Sequence, residues 1–365
     1  MIYLDHGATS YPKPPAVRRA VQSAMSRCAN PGRGGYPAAM LAAERVFLCR
    51  QLAGEMFDCS AEQVVFTANC THGLNMAIRT LVRPGDTVLI SGFEHNAVTR
   101  PLYALGATVM VAGRKLFHWE DTLTEWEAAL KKRPKAAVFT HVSNVFGYIL
   151  PVAEMAGLCR TYGVPFVVDA AQSAGMLPVS LEMLGADFIA MPGHKGLLGP
   201  QGTGMLLCGR APQPLLYGGT GSNSWEQAMP DFLPDRAEAG TLNVPGIAGL
   251  HAGMRYVNQM GLKTIFSRAH GQMQYCAAEI EKMGFAPFSG PHHCATLSFV
   301  PRGDCEKMAA GLAEAGVAVR AGLHCAPLAH ESAGTLATGT VRVSFGYEAK
   351  REDSEEFLRI IRRMS

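Results

Sequence analysis

The 365-residue sequence lacks the features by which metal-binding, secreted and membrane-spanning proteins are usually recognised. Its 10 cysteines include no C-x-x-C pair, which excludes zinc-ribbon and thioredoxin-like spacings. No apolar stretch reaches the length of a membrane span, and the amino terminus shows neither a basic leader nor an apolar signal core. The net charge of +3 is too small to favour nucleic acid or an anionic membrane as main partner. We therefore expect a cytoplasmic globular protein with free thiols, which binds neither nucleic acid nor membranes.

What the sequence does contain is an alternation of short β-rich runs with amphipathic helical stretches, from about residue 60 to residue 208. This pattern predicts βαβ units and a mostly parallel, doubly wound sheet, in which ligands bind beyond the carboxyl ends of the strands. After about residue 257 the order becomes helix, short strand, helix, strand, which predicts a smaller α+β domain. The predicted divisions are an N-terminal segment that packs on the small domain (1–20), a large domain (21–257) and the small C-terminal domain (258–365).

Two predicted strands end in charged residues. Asp169 ends the strand 165–169, and Lys195 follows the strand 187–191 within a glycine-rich segment. Taken alone, the aspartate is best explained as a helix cap and the lysine as a surface turn. Together they match the needs of pyridoxal phosphate (PLP): the amine forms a Schiff base with the aldehyde, and the carboxylate keeps the ring nitrogen protonated.

Three further polar groups follow predicted strands. Thr71 lies in a segment that opens a helix, where backbone N–H groups and a hydroxyl suit a phosphate. His95 and Asn144 each follow another strand. Each has an ordinary structural explanation by itself, as a cap, a turn or a core histidine. Five such groups at successive strand ends predict one site.

The run Asp169-Ala170-Ala171-Gln172, followed by Gly193-His194-Lys195 and the glycine-rich stretch up to Gly204, resembles the class V aminotransferase superfamily of fold type I PLP enzymes. The similarity is greatest to the cysteine desulfurase and selenocysteine lyase branch, and it covers nearly the whole chain. It implies a large PLP-binding domain with a mostly parallel seven-stranded sheet between helices, and a small C-terminal α+β domain.

The resemblance also implies roles around the cofactor. Lys195 matches the Schiff-base lysine, Asp169 the partner of the ring nitrogen, and Gln172 the residue that binds the ring hydroxyl. His95 matches the histidine stacked on the ring, and Asn144 an asparagine beside it. The residues matching the phosphate site are Thr71, His194 and Thr241, the last contributed by the other subunit of a homodimer. Two positions depart from the family: Pro192 replaces a serine or threonine, and Cys70 replaces a common threonine of the cofactor site.

The substrate side is predicted in the same way. Arg342 matches the arginine that binds the substrate carboxylate, a task for which a planar guanidinium is suited. Asn144 and Arg33 are expected at the substrate mouth.

The expected reaction depends on Cys325, in the run Arg320-Ala321-Gly322-Leu323-His324-Cys325-Ala326-Pro327. This run resembles the active-site loop of cysteine desulfurases, and the neighbouring His324 and an arginine are expected to favour the thiolate. The predicted function is a PLP-dependent cysteine desulfurase, with Lys195, Cys325 and His95 as catalytic residues. It would convert L-cysteine to L-alanine, form a persulfide on Cys325 and pass the sulfur to an acceptor protein. The alternatives are a selenocysteine lyase, another class V PLP lyase or aminotransferase, and a non-catalytic PLP-binding module.

Overall fold

The computed structural model describes residues 1–32 and 34–364. Within them, the strands are β1 (Ile2–Tyr3), β2 (Val64–Thr67), β3 (Thr87–Ser91), β4 (Thr108–Ala112), β5 (Ala136–Thr140), β6 (Phe166–Asp169), β7 (Phe188–Pro192), β8 (Gly204–Cys208), β9 (Ala286–Phe288), β10 (Thr296–Val300), β11 (Val317–Ala318), β12 (Arg320–Gly322) and β13 (Thr340–Ser344). The helices are α1 (Pro15–Arg27), α2 (Pro37–Phe57), α3 (Cys70–Leu81), α4 (Asn96–Ala104), α5 (Trp119–Leu130), α6 (Val152–Thr161), α7 (Leu181–Leu184), α8 (Val244–Met260), α9 (Leu262–Lys282), α10 (Cys305–Glu314), α11 (Pro327–Ala333) and α12 (Arg351–Met364).

The central sheet has seven strands in the order β2-β8-β7-β6-β5-β3-β4. β8 is antiparallel to both of its neighbours, and the other pairs are parallel. Every residue of β5, β6, β7 and β8 is buried, which explains why these strands are apolar apart from Thr140 and Asp169 at the ends of β5 and β6. The prediction of a mostly parallel seven-stranded sheet is thus confirmed. The strand order reverses between β3 and β5, the position at which ligands bind in such sheets.

A second, antiparallel sheet is formed by the C-terminal part of the chain, in the order β12-β13-β10-β9. The N-terminal strand β1 pairs with β11 beside it, with Ile2 opposite Val317. Asp5 then forms an isolated bridge with Ser344 at the end of β13. The first residues of the chain are therefore held beside the last strands, more than 300 positions away in the sequence.

The structure places both predicted domain boundaries inside helices. Helix α1 crosses residue 20, and helix α8 continues past residue 257 to Met260. The break between α8 and α9 lies at Gly261, whose φ of 78° is in the left-handed region that glycine favours. Among residues 1–32 and 34–364, no helix combines the length and apolar character needed to cross a membrane.

Candidate active site

The carboxyl ends of β5, β6 and β7 and the start of α3 surround a cavity of about 410 Å³. This volume is in the range of small-molecule binding sites, about 300–1,000 Å³. The predicted site residues that line it are Lys195, Asp169, Gln172, His194, Thr71, Cys70, His95, Asn144, Cys325 and Arg342. Residues from seven separate parts of the chain are thus brought to the edge of the sheet at which the sequence predicted a site.

Asp169 ends β6 and is 3% exposed. Its Oδ1 accepts the Ala171 N–H at 2.8 Å and the Cys70 S–H at 3.4 Å, and no hydrogen bond to Oδ2 comes from the described residues. One carboxylate oxygen is therefore held in place while the other is left for a ligand. Cys70 therefore contacts Asp169, the residue predicted to bind the ring nitrogen.

Lys195 lines the same cavity, and its burial lowers the pKa of the amine although Asp169 opposes the shift. Burial acts in this direction because it disfavours the charged ammonium. The neutral amine, which is the form that condenses with an aldehyde, is therefore more available than in an exposed lysine.

The N-terminus of α3 forms another wall of the cavity. Asn69 caps this 12-residue helix, because its side chain accepts the His72 N–H at 2.9 Å. Thr71 is exposed in the first turn, where a hydroxyl and the helix terminus favour an anion. Nearby, His194 binds the Thr9 hydroxyl through Nδ1 at 3.1 Å, and burial lowers its pKa to about 4, so the ring is neutral at pH 7.

His95 begins α4 and has one defined tautomer. Its Nδ1 accepts the N–H of Ala97 at 3.0 Å, so the proton of the neutral ring lies on Nε2. Burial lowers the pKa of His95, which favours that neutral ring. The imidazole therefore presents Nε2–H as a hydrogen-bond donor.

Cys325 is the exposed member of the ten free cysteines in the described ranges. His324 and Cys325 have φ values of 50° and 56°, a left-handed conformation that costs energy for residues other than glycine. Two hydrogen bonds hold this turn: Asn144 Nδ2 donates to the His324 carbonyl, and the Asn96 N–H donates to the Cys325 carbonyl, both at 2.8 Å. The fold thereby fixes the backbone that presents the thiol.

The expectation that His324 supplies a positive charge to Cys325 is wrong. The left-handed turn directs the His324 ring inward, where Nε2 lies 3.2 Å from both the carbonyl and the hydroxyl oxygen of Thr340. Burial lowers the pKa of His324 to about 2, so its ring is neutral at physiological pH. Adjacency in the sequence did not reveal this, because the two side chains leave the turn in different directions.

Arg342 and Arg320 share one carboxylate at the wall of the cavity. Asp5 Oδ1 accepts from Arg342 Nη2 at 2.7 Å, and Asp5 Oδ2 accepts from Arg320 Nη2 at 2.9 Å. The Arg342 side chain is only 3% exposed, whereas that of Arg320 is 51% exposed. Two guanidinium groups against one acid leave a positive surface, which suits a ligand carboxylate.

The N-terminal segment also contacts Gln172 and His194, two of the predicted site residues. Gln172 Nε2 donates to the Gly7 carbonyl at 3.0 Å. The His194 carbonyl accepts from the Ser10 N–H at 3.0 Å and from Lys13 Nζ at 2.7 Å. Residues 5–13 therefore contact several of the predicted site residues.

One predicted residue among those described, Thr241, does not line this cavity. Thr241 is exposed and lines a separate surface cavity of about 580 Å³, together with Phe47 and Glu238. Arg33 lies outside the described residues. Its neighbours, residues 30–32, line the same surface cavity as Thr241.

The sequence analysis missed three residues that the structure places in or directly behind the site: Asp5, Arg320 and Glu94. Asp5 and Arg320 lie within segments that carry the family resemblance, but no local pattern connects residue 5 to residue 342. Glu94 precedes His95 directly, and an acid next to an apolar strand was an available signal because such a group needs compensation when buried.

A mostly parallel seven-stranded sheet with an aspartate and a lysine at its strand ends is typical of fold type I PLP enzymes. The chain belongs to the class-V aminotransferase family, whose model matches residues 2–357.

Curated relatives and solved structures show which members of this family the chain resembles. A probable cysteine desulfurase of Methanothermobacter thermautotrophicus is 33% identical over 96% of this chain and 92% of the relative. A probable cysteine desulfurase of Pyrococcus abyssi is 30% identical over 99% of this chain and 93% of the relative. The apo structure of a cysteine desulfurase from Thermococcus onnurineus superposes with a TM-score of 0.90 at 30% identity, covering 100% of this chain and 94% of the other. The Escherichia coli cysteine desulfurase CsdA gives a TM-score of 0.86 at 26% identity, covering 99% of this chain and 94% of the other.

Proposed function

We propose that this protein is a PLP-dependent cysteine desulfurase, which converts L-cysteine to L-alanine and takes the sulfur as a persulfide on Cys325. The observation that carries the proposal is one cavity lined by an exposed thiol, the Lys195 amine and two guanidinium groups. The relatives named above support L-cysteine as the substrate.

The residues present fit PLP. Lys195 would hold the aldehyde, Asp169 Oδ2 the ring nitrogen, and the start of α3 with Thr71 and His194 the phosphate. Gln172 and His95 would bind the ring hydroxyl and the ring face. When bound, PLP supplies an electron sink conjugated to the α-carbon of the substrate.

The chain's own groups supply the remaining steps. Arg342, with Arg320 beside it, binds the substrate carboxylate and so orients the α-carbon. The Lys195 amine removes the α-proton as a general base and, once protonated, can return a proton to the substrate, while His95 Nε2–H donates a hydrogen bond at the ring face. The Cys325 thiolate then attacks the substrate sulfur: an S–S bond forms, the C–S bond breaks, and the carbon keeps the electron pair and takes a proton. The products are alanine and a Cys325 persulfide.

A homodimer is part of this proposal. Thr241 is exposed, and the cavities it lines include Phe47 and Leu216, which are 59% and 58% exposed. Large exposed apolar side chains at one place favour coverage by another chain. A second copy of the protein would bring Thr241 to the phosphate site of its neighbour.

The same proposal places the protein in the cytoplasm with a sulfur-acceptor protein as partner. All ten cysteines are free, as expected in a reducing compartment. The exposed position of Cys325 would allow its persulfide to reach the thiol of an acceptor.

The test is product analysis of the PLP-loaded protein supplied with L-cysteine. Cys325→Ala should lower alanine formation on the order of a hundred-fold or more, because the attacking thiolate is removed. Cys59→Ser is the matched control, since Cys59 is partly buried and lines a different surface cavity. Undiminished alanine formation by C325A would refute the role of Cys325. Turnover of selenocysteine alone, by both wild type and C325A, would favour the lyase alternative.

A further inference from the structure

A buried glutamate lies directly behind the proposed site, in the segment Gly92–Asn96 that connects β3 to α4 (the 92–96 turn). Glu94 is 0% exposed. One of its oxygens, Oε1, accepts the Thr140 N–H at 2.9 Å and contacts the Ser91 hydroxyl. The other, Oε2, is buried without a hydrogen-bond partner among the described residues.

This arrangement fits an uncharged carboxylic acid. An ionised carboxylate needs donors at both oxygens or a cation nearby, and a bare buried charge is very costly. Both donors meet one oxygen here, and no ion pair of Glu94 is present in the described part of the chain. The second buried glutamate, Glu238, shows the contrast: Arg50 binds its two oxygens, each at 2.9 Å.

The direction of the pKa shift of Glu94 also favours the uncharged acid. Burial, with a smaller contribution from Asp169, raises the pKa of Glu94 to about 8, although the hydrogen bonds from Ser91 and Thr140 oppose this shift. Asp169 reaches it from the neighbouring strand end, since Thr140 and Asp169 are register partners of β5 and β6. His141, which follows Thr140, is neutral because burial lowers its pKa to about 4, and His95, which follows Glu94, is also neutral.

The 92–96 turn connects Glu94 to two residues of the proposed site. His95 is next in the chain, and the N–H of Asn96 donates to the Cys325 carbonyl at 2.8 Å. The far side of the turn is held by Ser332, whose hydroxyl donates to the Gly92 carbonyl at 2.7 Å. Glu94 is therefore the contact that fastens this turn to β5.

We propose that Glu94 is a positioning residue: as an uncharged acid it ties the 92–96 turn to β5 and so holds His95 and Cys325 in place, and its ionisation at alkaline pH loosens that turn. This inference rests on the proposed function, because that function makes the positions of His95 and Cys325 matter. Its tests measure unfolding and alkylation and do not require desulfuration.

The first test is the pH dependence of unfolding of wild type and Glu94→Gln, which keeps the shape and an acceptor oxygen but cannot ionise. The folded state holds the Glu94 proton more tightly than the unfolded state, so wild type loses stability as pH rises from about 4.5 to about 8. The unfolding constant of wild type relative to E94Q should therefore rise on the order of a thousand-fold across this range. Asp169, His95 and Lys195 remain in both proteins and cancel in the comparison.

The second test measures positioning through the alkylation rate of Cys325 by iodoacetamide, read by peptide mapping. Both proteins share the titration of the thiol itself, so the informative quantity is the wild-type to E94Q ratio. That ratio should stay near one at pH 6.5 and rise severalfold above pH 8, as Glu94 ionises. The visible absorbance spectra of PLP-loaded wild type and E94Q should also differ above pH 8, since His95 lies on the same turn.

Glu238→Gln is the control for the loss of a buried glutamate. Because it leaves Arg50 without a carboxylate, E238Q should lose stability across the range from pH 6 to 9. Flat wild-type to E94Q ratios in both unfolding and alkylation would overturn the proposal. A protein that shows the slopes but produces no alanine would instead refute the proposed function and leave the role of Glu94 intact.

Discussion

The ion pair between Asp5 and Arg342 joins the N-terminal and C-terminal parts of the chain. Its removal should lower the free energy of unfolding by an amount that can be calculated from the burial of the two groups. Asp5→Asn keeps the size of the side chain but removes its charge. Arg342 is then left 3% exposed with no carboxylate, and its Nε already has no partner among the described residues. Breaking a buried pair by removing one partner costs about 3–5 kcal/mol. The Arg320 half of the interaction is half-exposed and contributes about 0–1 kcal/mol.

The assay is hydrogen exchange of the β13 amides at pH 7, because Arg342 lies in that strand and the Ser344 N–H donates to the Leu4 carbonyl. A loss of 3–5 kcal/mol corresponds to protection lowered by about a hundred- to a few-thousand-fold, at 1.4 kcal/mol per factor of ten. Arg320→Ala is the matched variant, which removes the exposed partner and should change protection by less than about tenfold. Equal effects of D5N and R320A, or protection of D5N within about threefold of wild type, would refute the reasoning.

Two further predictions concern the dimer and the turn at Cys325. Thr241→Ala should weaken PLP binding about ten- to a hundred-fold, the loss expected for one hydrogen bond to a charged group. Mixing T241A with K195A subunits should restore one intact site per mixed dimer; the absence of recovery would place Thr241 in the site of its own subunit. Because burial lowers the pKa of His324 to about 2, the alkylation rate of Cys325 should show no inflection between pH 5 and 7 that originates at this ring. An inflection in that interval that His324→Gln removes would contradict the neutral ring.

The central sheet could be predicted from the sequence because its strands are short apolar runs, and the segments between them show the amphipathic pattern of helices. The site could be predicted in the same way, since its polar residues stand at the strand ends, next to positions that local pattern identifies. Helix α5 shows the limit of such patterns, because its first residue, Trp119, is held by residues far away in the sequence. The indole of Trp119 donates to the Ile149 carbonyl at 2.8 Å and stacks on His292 at 3.5 Å, contacts that come from distant parts of the chain.

Long-range electrostatics was the part that local sequence could not predict. Asp5 and Arg342 are separated by 337 positions, and their contact exists because β1 pairs with β11. The raised pKa of Glu94 comes from burial where its turn packs against β5, and the neutral state of His324 depends on a backbone turn with positive φ. In each case the residue type was visible in the sequence, but its charge state is set by burial and by partners that only the folded chain supplies.

The most direct measurement of the proposed chemistry is a single-turnover experiment on PLP-loaded protein mixed with one equivalent of L-cysteine per site, without a sulfur acceptor. Desulfuration at this site predicts close to one equivalent of alanine, with the mass of one added sulfur atom found on the Cys325 peptide and on no other cysteine peptide. Alanine formed without sulfur on Cys325, or sulfur on Cys325 without alanine, would contradict it.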